Sequence, residues 1–391
     1  MKKVCVVTST RADYGILRPL LVRLKEQEEI ILTIVATGMH LCSEFGYTYQ
    51  EIEKDGFQIY KKIDIQMSVD TAAGMSKTMG IALICFADYF HDELPDLLIV
   101  LGDRFEIAAV CSAAVNQQIP IAHIHGGELT EGAIDDCYRH SITKMSSLHF
   151  VSCEPYRRRV IQLGENPESV FNVGAMSIEN ILSMQEYPLI DLENDIQFHL
   201  CNQPYVVVTF HPVTTECDFG AGQVTELIKA IDEFPELNFL ITKANSDAGG
   251  RAINRMWDEY STKRTNSLVV SSLGSKRYLT ALKNAKMMLG NSSSGIIEGP
   301  ACKIPVINIG NRQKGRIASE SVIHCNPNQK EISLAIRTAM LPSLQDMASN
   351  TTNPYGIGNT SEKILNEIII FLKSDKTQRA KKFFDCFEGN L

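Results

Sequence analysis

The fold is indicated first by residues 4–15, VCVVTSTRADYG, in which apolar and β-branched residues pass directly into a polar loop. Residues 4–8 fit a strand that is buried on both faces, as the strands of parallel sheets are. The loop carries one cation, Arg11, and leads to the amphipathic stretch 17–26, which is typical of a helix. A strand, a loop and a helix in this order form the repeating unit of a doubly wound α/β fold.

The same unit recurs in two sets along the chain. In the first set we predict strands at 4–8, 30–36, 97–101, 119–124 and 148–151, and helices at 17–26, 75–91, 106–116 and 135–146. In the second set we predict strands at 205–210, 238–242, 268–270, 287–289 and 306–309, and helices at 224–232, 248–260, 275–284 and 331–340. Between the sets, residues 185–204 are rich in Pro, Asn and acidic residues and show little hydrophobic periodicity, which indicates a linker between two domains.

These patterns predict an α/β protein of two Rossmann-like domains with a cleft between them. With 391 residues, the chain is too long for one ordinary core. We place the N-terminal domain at 1–184 and the C-terminal domain at 185–360. Residues 361–391 would form a C-terminal region, with a long helix at 361–384, that could pack back on the N-terminal domain.

Composition excludes several classes of protein. The net charge is −8 and no Lys/Arg-rich run occurs, so we predict no nucleic-acid partner. No apolar stretch has the length of a membrane span, and we predict no membrane partner. The N-terminal apolar run is too short for a signal peptide, and the eleven cysteines show no CxxC spacing. A cytoplasmic protein with reduced thiols is the expectation.

Polar loops follow the predicted strands at the edge where parallel sheets bind ligands. Their sequences are TSTRADYG (8–15), GDR (102–104), HIHGGE (123–128), FHPVT (210–214), NSDAG (245–249), GNSSSG (290–295) and GNRQKGR (310–316). GNSSSG is the most specific of them, because small hydroxyl residues between glycines at a helix start form an anion cradle. GxGxxG and GKS/GKT are absent, which disfavours an NAD site and a Walker loop.

Each motif also has a structural interpretation that the sequence leaves open. Arg11 could pair with an aspartate, Asp103 and Arg104 could form a buried ion pair, Asp135 could cap a helix, and His211 could bind backbone. His123 and His125 alternate on a strand, yet no third ligand follows at zinc spacing, so we predict no metal.

Taken in order, the motifs resemble the UDP-N-acetylglucosamine 2-epimerase family, and most closely its hydrolysing branch in bacterial sialic and legionaminic acid biosynthesis. The resemblance runs from residue 4 to about residue 371. It implies a glycosyltransferase-B type fold, a nucleotide-sugar substrate, no metal or redox cofactor, and a homodimer or homotetramer.

The resemblance also implies roles for individual residues. Asp103, Glu128 and Asp135 match the catalytic acids, with His125 as a proton-transfer group and His211 at the diphosphate. Animal relatives have a glutamate at the position of His125. The residues that match nucleotide-sugar contacts are Arg11, Arg104, His211, Asn245, Arg255, Ser292, Ser293, Glu298 and Arg312.

The expected activity is hydrolytic 2-epimerisation of UDP-N-acetylglucosamine to N-acetylmannosamine and UDP, by elimination to 2-acetamidoglucal and hydration. Three alternatives remain open: the same reaction on a nucleotide-linked 2,4-diacetamido-2,4,6-trideoxyglucose, a glycosyltransferase of the same fold, and a non-catalytic nucleotide-sugar sensor.

Overall fold

The computed structural model describes residues 1–65, 71–131, 133–184, 187–245, 247–374 and 381–386. It divides into two compact units, neither of which is continuous in sequence. Unit 1 contains Met1–Glu128, Asp135–Asn180 and Tyr355–Leu391, and unit 2 contains Leu129–Ile134 and Ile181–Pro354. Each unit has its own parallel sheet, which confirms the predicted class of two Rossmann-like α/β domains. The domain boundaries drawn from the sequence stay a prediction.

The strands of unit 1 form one parallel sheet in the order β3-β2-β1-β4-β5-β6-β7. They are β1 (Lys2–Thr8), β2 (Ile30–Thr37), β3 (Ile59–Ile63), β4 (Leu97–Leu101), β5 (Ile121–Ile124), β6 (Leu148–Val151) and β7 (Val170–Asn172). The strand order reverses between β1 and β4, which pair with Val6 opposite Ile99. The loops after these two strands therefore leave the sheet side by side, at the position where such folds bind ligands.

Unit 2 repeats this arrangement in the order β10-β9-β8-β11-β12-β13. Its strands are β8 (Tyr205–Thr209), β9 (Asn238–Thr242), β10 (Ser267–Val270), β11 (Met287–Gly290), β12 (Val306–Ile309) and β13 (Val322–Cys325). Here the order reverses between β8 and β11, where Thr209 lies opposite Gly290.

Helices connect the strands. They are α1 (Arg11–Lys25), α2 (Tyr49–Lys54), α3 (Ala72–Glu93), α4 (Phe105–Asn116), α5 (Asp135–Met145), α6 (Glu154–Gln162), α7 (Met176–Ser183), α8 (Leu189–Ile196), α9 (Ala221–Ile231), α10 (Gly250–Ser261), α11 (Gly274–Asn284), α12 (Ser293–Ala301), α13 (Gln329–Ala339), α14 (Pro342–Asn350) and α15 (Thr360–Lys373). None of the described helices is both long and apolar enough to span a membrane.

The position of α4 in the core of unit 1 explains why its sequence is almost entirely apolar. This helix packs between α3 and α5, so it is buried nearly all round. Glu106 is also buried in this helix. Carboxylates are rarely buried without a partner that binds or neutralises them, so Glu106 is expected to have one.

The sequence pattern did not predict three strands, β3, β7 and β13, or five helices, α2, α6, α7, α8 and α14. The strands β3, β7 and β13 lie at sheet edges and each has exposed or half-buried positions, so their apolar runs are short. The predicted link at 185–204 contains α8, which packs on α11 and buries Leu192; residues 185 and 186 lie outside the described residues.

The predicted helix at 361–384 is too long. α15 ends at Lys373, and residues 381–386 are not helical, whereas 375–380 lie outside the described residues. The apolar face that packs on α1 stops at Leu372, and between it and Phe383 the sequence has no large apolar residue. α15 belongs to unit 1, where Arg23 of α1 donates to Ser361 Oγ at 2.7 Å.

Candidate active site

Arg11 lies in the first turn of α1 rather than in a loop. Thr10 and Asp13 form a capping box: Thr10 Oγ1 accepts from the Asp13 N–H, and the Asp13 carboxylate accepts from the Thr10 N–H, both at 3.1 Å. The predicted start at residue 17 was wrong because these caps begin the helix earlier. Asp13 therefore has a capping role, and Arg11 adds its charge to a helix N-terminus, which attracts anions.

Charged groups gather where β1 and β4 end. Arg104 Nε donates to Glu106 Oε1 at 2.5 Å, and both side chains are largely buried. Burial raises the pKa of Asp13, the nearby Arg104 charge lowers it, and the Glu106 charge raises it. Sequence reasoning did not select Glu106, although a carboxylate within an otherwise apolar helical run was a usable signal.

Arg139 links Asp103 to Asp136 and to the backbone of Glu128. It is 1% exposed, and its Nη2 donates to the Asp103 carboxylate. Its Nη1 donates to Asp136 Oδ1 at 2.9 Å and to the Glu128 carbonyl at 3.1 Å. Asp135 is the first residue of the same helix, α5. The sequence analysis missed Arg139, which lies three to four residues after two acids and therefore shares their helix face.

The HGGE segment has a constrained backbone. His125 has a φ of 66°, a left-handed conformation that is uncommon for a residue with a side chain and often occurs at functional sites. At Gly127, with a φ of 78°, an added Cβ would lie 2.5 Å from the Tyr156 carbonyl oxygen, so only glycine fits. Glu128 is buried, accepts from Ser152 Oγ at 3.1 Å, and has Oε1 3.7 Å from His125 Nδ1.

His123 has a structural task. Its Nε2–H donates to the Gly102 carbonyl at 2.7 Å, and its Nδ1 accepts from Thr143 Oγ1 at 3.1 Å. Burial lowers the pKa of His123 to about 3, so the ring is neutral. Both ring nitrogens are thus engaged by the protein. Among the described residues, no three His, Cys, Asp or Glu side chains form a group that could hold a metal ion.

In unit 2, His211 and Asn291 link the loops after β8 and β11. The His211 N–H donates to Asn291 Oδ1 at 2.7 Å, and Asn291 Nδ2 donates to the His211 carbonyl at 2.8 Å. The Asn245 N–H donates to His211 Nδ1 at 3.3 Å. A neutral His211 must then carry its proton on Nε2, where it can act as a donor. Asn291, within the quoted GNSSSG motif, was not selected from the sequence.

The GNSSSG loop forms a helix N-terminus. Gly290 has a φ of 141°, and an added Cβ would lie 2.0 Å from the Thr209 carbonyl oxygen, so the loop requires glycine. Ser292 caps α12 by accepting from the Ser294 N–H at 3.3 Å, and Ser293 is the first helical residue. Ser294 Oγ in turn donates to Glu298. This arrangement leaves the dipole of α12 directed at the loop, as an anion site requires.

The remaining candidates differ in their surroundings. Arg312 is buried and donates to the carbonyls of Pro212 (3.1 Å) and Asn291 (3.4 Å), so it supports both loops. Asn245 Nδ2 donates to Asp247 Oδ2 at 2.6 Å. Arg255 is exposed on α10, and in the described part of the chain it is not part of this hydrogen-bonded group.

Each unit therefore brings together its own set of predicted residues. In unit 1, Arg139 contacts Asp103, Asp136 and the Glu128 carbonyl, Arg104 pairs with Glu106, and Arg11 and Asp135 are the first residues of α1 and α5. Unit 2 collects hydrogen-bond donors and a helix N-terminus at the reversal point of its sheet. Cationic and backbone donors suit a diphosphate, and several carboxylates suit proton transfer.

Comparison with known proteins matches residues 22–369 to the family described as UDP-N-acetylglucosamine 2-epimerase. The chain is 42% identical to the "GDP/UDP-N,N'-diacetylbacillosamine 2-epimerase (hydrolyzing)" of Campylobacter jejuni, over 84% of this chain and 85% of the relative. It is 39% identical to "Polysialic acid biosynthesis protein P7" of Escherichia coli, over 99% and 98% of the two chains. It is 35% identical to the "UDP-N,N'-diacetylbacillosamine 2-epimerase (hydrolyzing)" of Legionella pneumophila, over 93% and 94%.

Solved structures share the fold at lower sequence identity. A putative UDP-N-acetylglucosamine 2-epimerase from Listeria monocytogenes superimposes with a TM-score of 0.80 at 18% identity, covering 98% of this chain and 99% of that one. The UDP-GlcNAc 2-epimerase of Neisseria meningitidis, solved with UDP-GlcNAc bound, gives 0.79 at 18% identity, covering 94% and 100%.

Proposed function

Because this chain belongs to the UDP-N-acetylglucosamine 2-epimerase family, we propose that it is a hydrolysing 2-epimerase of a UDP-linked 2,4-diacetamido-2,4,6-trideoxyglucose. The observation that carries the substrate assignment is the similarity, at 42% and 35% identity over most of the chain, to two relatives named for N,N'-diacetylbacillosamine, which is that sugar. This choice replaces UDP-N-acetylglucosamine, the substrate that the motifs first favoured.

The reaction would begin with elimination. A base removes the C2 proton, the C1–O bond to the diphosphate breaks, and a C1=C2 double bond forms while UDP leaves with the bonding electron pair. The departing diphosphate needs positive charge and fixed donors. Arg11, His211 and the start of α12 at Ser292 and Ser293 supply them in this proposal.

Hydration would complete the reaction. Water adds its oxygen to C1, and a proton returns to C2 on the face opposite to the one it left, which gives the inverted sugar. The Arg139 guanidinium holds the Asp103 carboxylate in place, and we assign Asp103 as a base. Glu128 Oε1 and His125 Nδ1 lie 3.7 Å apart, beyond direct hydrogen-bond distance, and we assign these two residues, with Asp135, to proton return and water activation.

The test is turnover in D2O by the purified full chain, with UDP release and the C2 configuration followed by NMR. The substrates are the UDP and GDP derivatives of N,N'-diacetylbacillosamine and UDP-N-acetylglucosamine. We expect the UDP-linked diacetamido sugar to have the highest kcat/KM, with deuterium at C2 of an inverted product. Transfer of an intact sugar without deuterium at C2 would instead indicate a glycosyltransferase, and UDP binding without UDP release would indicate a sensor.

Hydrolytic epimerisation of UDP-N-acetylglucosamine is the second candidate. It is favoured by the 39% identity to the polysialic acid biosynthesis protein, because sialic acids are built from N-acetylmannosamine. The two sugars differ at C4 (acetamido or hydroxyl) and C6 (methyl or hydroxymethyl), and unpaired polar groups in a pocket discriminate strongly between such analogues. A higher kcat/KM for UDP-N-acetylglucosamine would establish this candidate instead. The homodimer or homotetramer and the cytoplasmic location stay predictions.

A further inference from the structure

The C-terminal segment 381–386 lies against the C-terminal end of α5. Lys381 Nζ donates to the carbonyl oxygens of Thr143 (3.3 Å), Lys144 (2.6 Å) and Ser146 (2.6 Å). The last carbonyls of a helix lack partners within the helix, and a cation there also complements the helix dipole. Lys381 therefore caps α5 from a position 235 residues beyond Ser146 in the sequence.

The same amine neutralises a buried acid beneath the helix. Lys381 Nζ lies 2.5 Å from Glu165 Oε2, and the Glu165 side chain is 1% exposed. Glu165 also accepts from Lys144 Nζ at 2.9 Å and from His149 Nε2 at 3.0 Å. Burial raises the pKa of Glu165, but the hydrogen bonds from His149 and Lys381 outweigh burial and leave the pKa below its ordinary value. Losing Lys381 would leave this buried carboxylate with less compensating positive charge.

Further contacts attach the segment to the end of α6 and the loop that follows it. The Phe384 N–H donates to the Gly164 carbonyl at 2.9 Å, and Cys386 Sγ donates to the Ile161 carbonyl at 3.3 Å. The Phe383 ring lies under Lys144, with 4.5 Å between Nζ and the ring centroid. The segment is therefore fixed at several points and not through Lys381 alone.

A chain of hydrogen bonds leads from this cap to a proposed catalytic acid. Thr143, whose carbonyl accepts from Lys381, donates through Oγ1 to His123 Nδ1 at 3.1 Å. His123 Nε2 donates to the carbonyl of Gly102 at 2.7 Å, and Gly102 directly precedes Asp103. Asp135 begins α5, and Arg139, one turn later, contacts Asp103. Both ends of the helix are thus connected to the proposed acids.

From these contacts we propose that residues 381–386 form an intrachain clamp on α5, and that Lys381 is a positioning residue for the epimerisation. The catalytic part of this inference rests on the proposed function. Lys381 touches no reacting group; it holds the last turn of α5, and through Thr143 and His123 it fixes the backbone before Asp103.

The test compares Lys381→Met with Lys382→Met, the same substitution at the exposed neighbouring residue. We expect Lys381→Met to lower kcat by about tenfold, because small displacements of catalytic groups slow the chemical step, and to change KM by less than about twofold. Lys381→Arg keeps the charge and should recover part of the lost kcat. Amide hydrogen exchange in α5 should be faster in Lys381→Met than in Lys382→Met.

An unchanged kcat in Lys381→Met overturns the positioning role, even if the thermal midpoint falls, because a purely structural cap would lower stability alone. Unchanged amide exchange in α5 overturns the clamp itself. If the unmodified chain turns over none of the sugar nucleotides, the proposed function fails, whereas the exchange measurement still decides whether the segment holds α5.

Discussion

Replacing Arg139 with Met tests whether one buried guanidinium organises the acids of unit 1. The substitution keeps much of the side-chain volume and removes donors to Asp103, Asp136 and the Glu128 carbonyl. Removing one partner of a buried ion pair costs about 3–5 kcal/mol. Asp103 and Asp136 are 27% and 23% exposed and regain some hydration, so we expect the lower end, about 3 kcal/mol.

A loss of this size shifts the thermal midpoint by about 6–12 °C, since about 1 kcal/mol corresponds to about 2–4 °C in a domain of about 150–250 residues. Turnover should fall by more than the loss of folded protein alone would cause. Without Arg139, Asp103 loses its fixed orientation, and misplacing a catalytic group by about 1 Å lowers kcat by about 100-fold. Calorimetry and UDP release at a temperature well below the midpoint measure the two effects separately.

Arg158→Met is the matched control. Arg158 lies on α6, is 70% exposed, and is 3.7 Å from Glu154, so its loss should change stability by less than about 0.5 kcal/mol. If Arg139→Met behaves like Arg158→Met in both calorimetry and turnover, the guanidinium does not organise the acids, and the reasoning from this ion-pair group is wrong.

Three further predictions concern single positions. Glu128→Gln should lower UDP release by about 10²-fold or more while UDP still binds by calorimetry; turnover within about twofold of the original would exclude it as a catalytic acid. Burial lowers the pKa of His40 from its ordinary 6.5 to about 4, so the unfolded chain takes up a proton first as the pH falls. The contribution of neutral His40 to stability is full above pH 6.5 and is lost as the pH falls towards 4. In this pH window the thermal midpoint of His40→Gln should therefore depend less on pH than that of the original protein. An equal dependence on pH in the two proteins would contradict this. Gly290→Ala should abolish folding of unit 2, because its Cβ would meet the Thr209 carbonyl, whereas Gly80→Ala on α3, with open space around it, should be neutral or raise the midpoint slightly; soluble, fully stable Gly290→Ala protein would contradict the steric argument.

Many of the strands and one helix start could be predicted from the sequence, because they depend on residues that are close together along the chain. The strands at 97–101, 148–151, 238–242 and 306–309 agree with the structure to the residue, because strands inside a parallel sheet are rich in buried apolar residues. The GNSSSG motif was expected at a helix start, and Ser292 is the cap of α12. By contrast, the edge strand β3 has only partial burial and therefore no such signature.

The interactions between residues that are distant in sequence could not be predicted from the sequence. Arg139, Glu106 and Asn291 were not selected, because their significance comes from partners that other strands and helices supply. The predicted helix at 361–384 failed for a related reason. Helical propensity does not account for contacts with residues that are distant in sequence. Lys381 makes such contacts at the end of α5 and is not part of a helix.

The sequence by itself determined the fold class, the family and the set of polar loops at the strand ends, since these depend on residue type and spacing over a few neighbouring positions. Only the tertiary structure decided which charges meet, which histidine is neutral, and where the C-terminal segment lies. Electrostatic energy and desolvation depend on distances between groups that are far apart in sequence, and those distances exist only after the chain has folded.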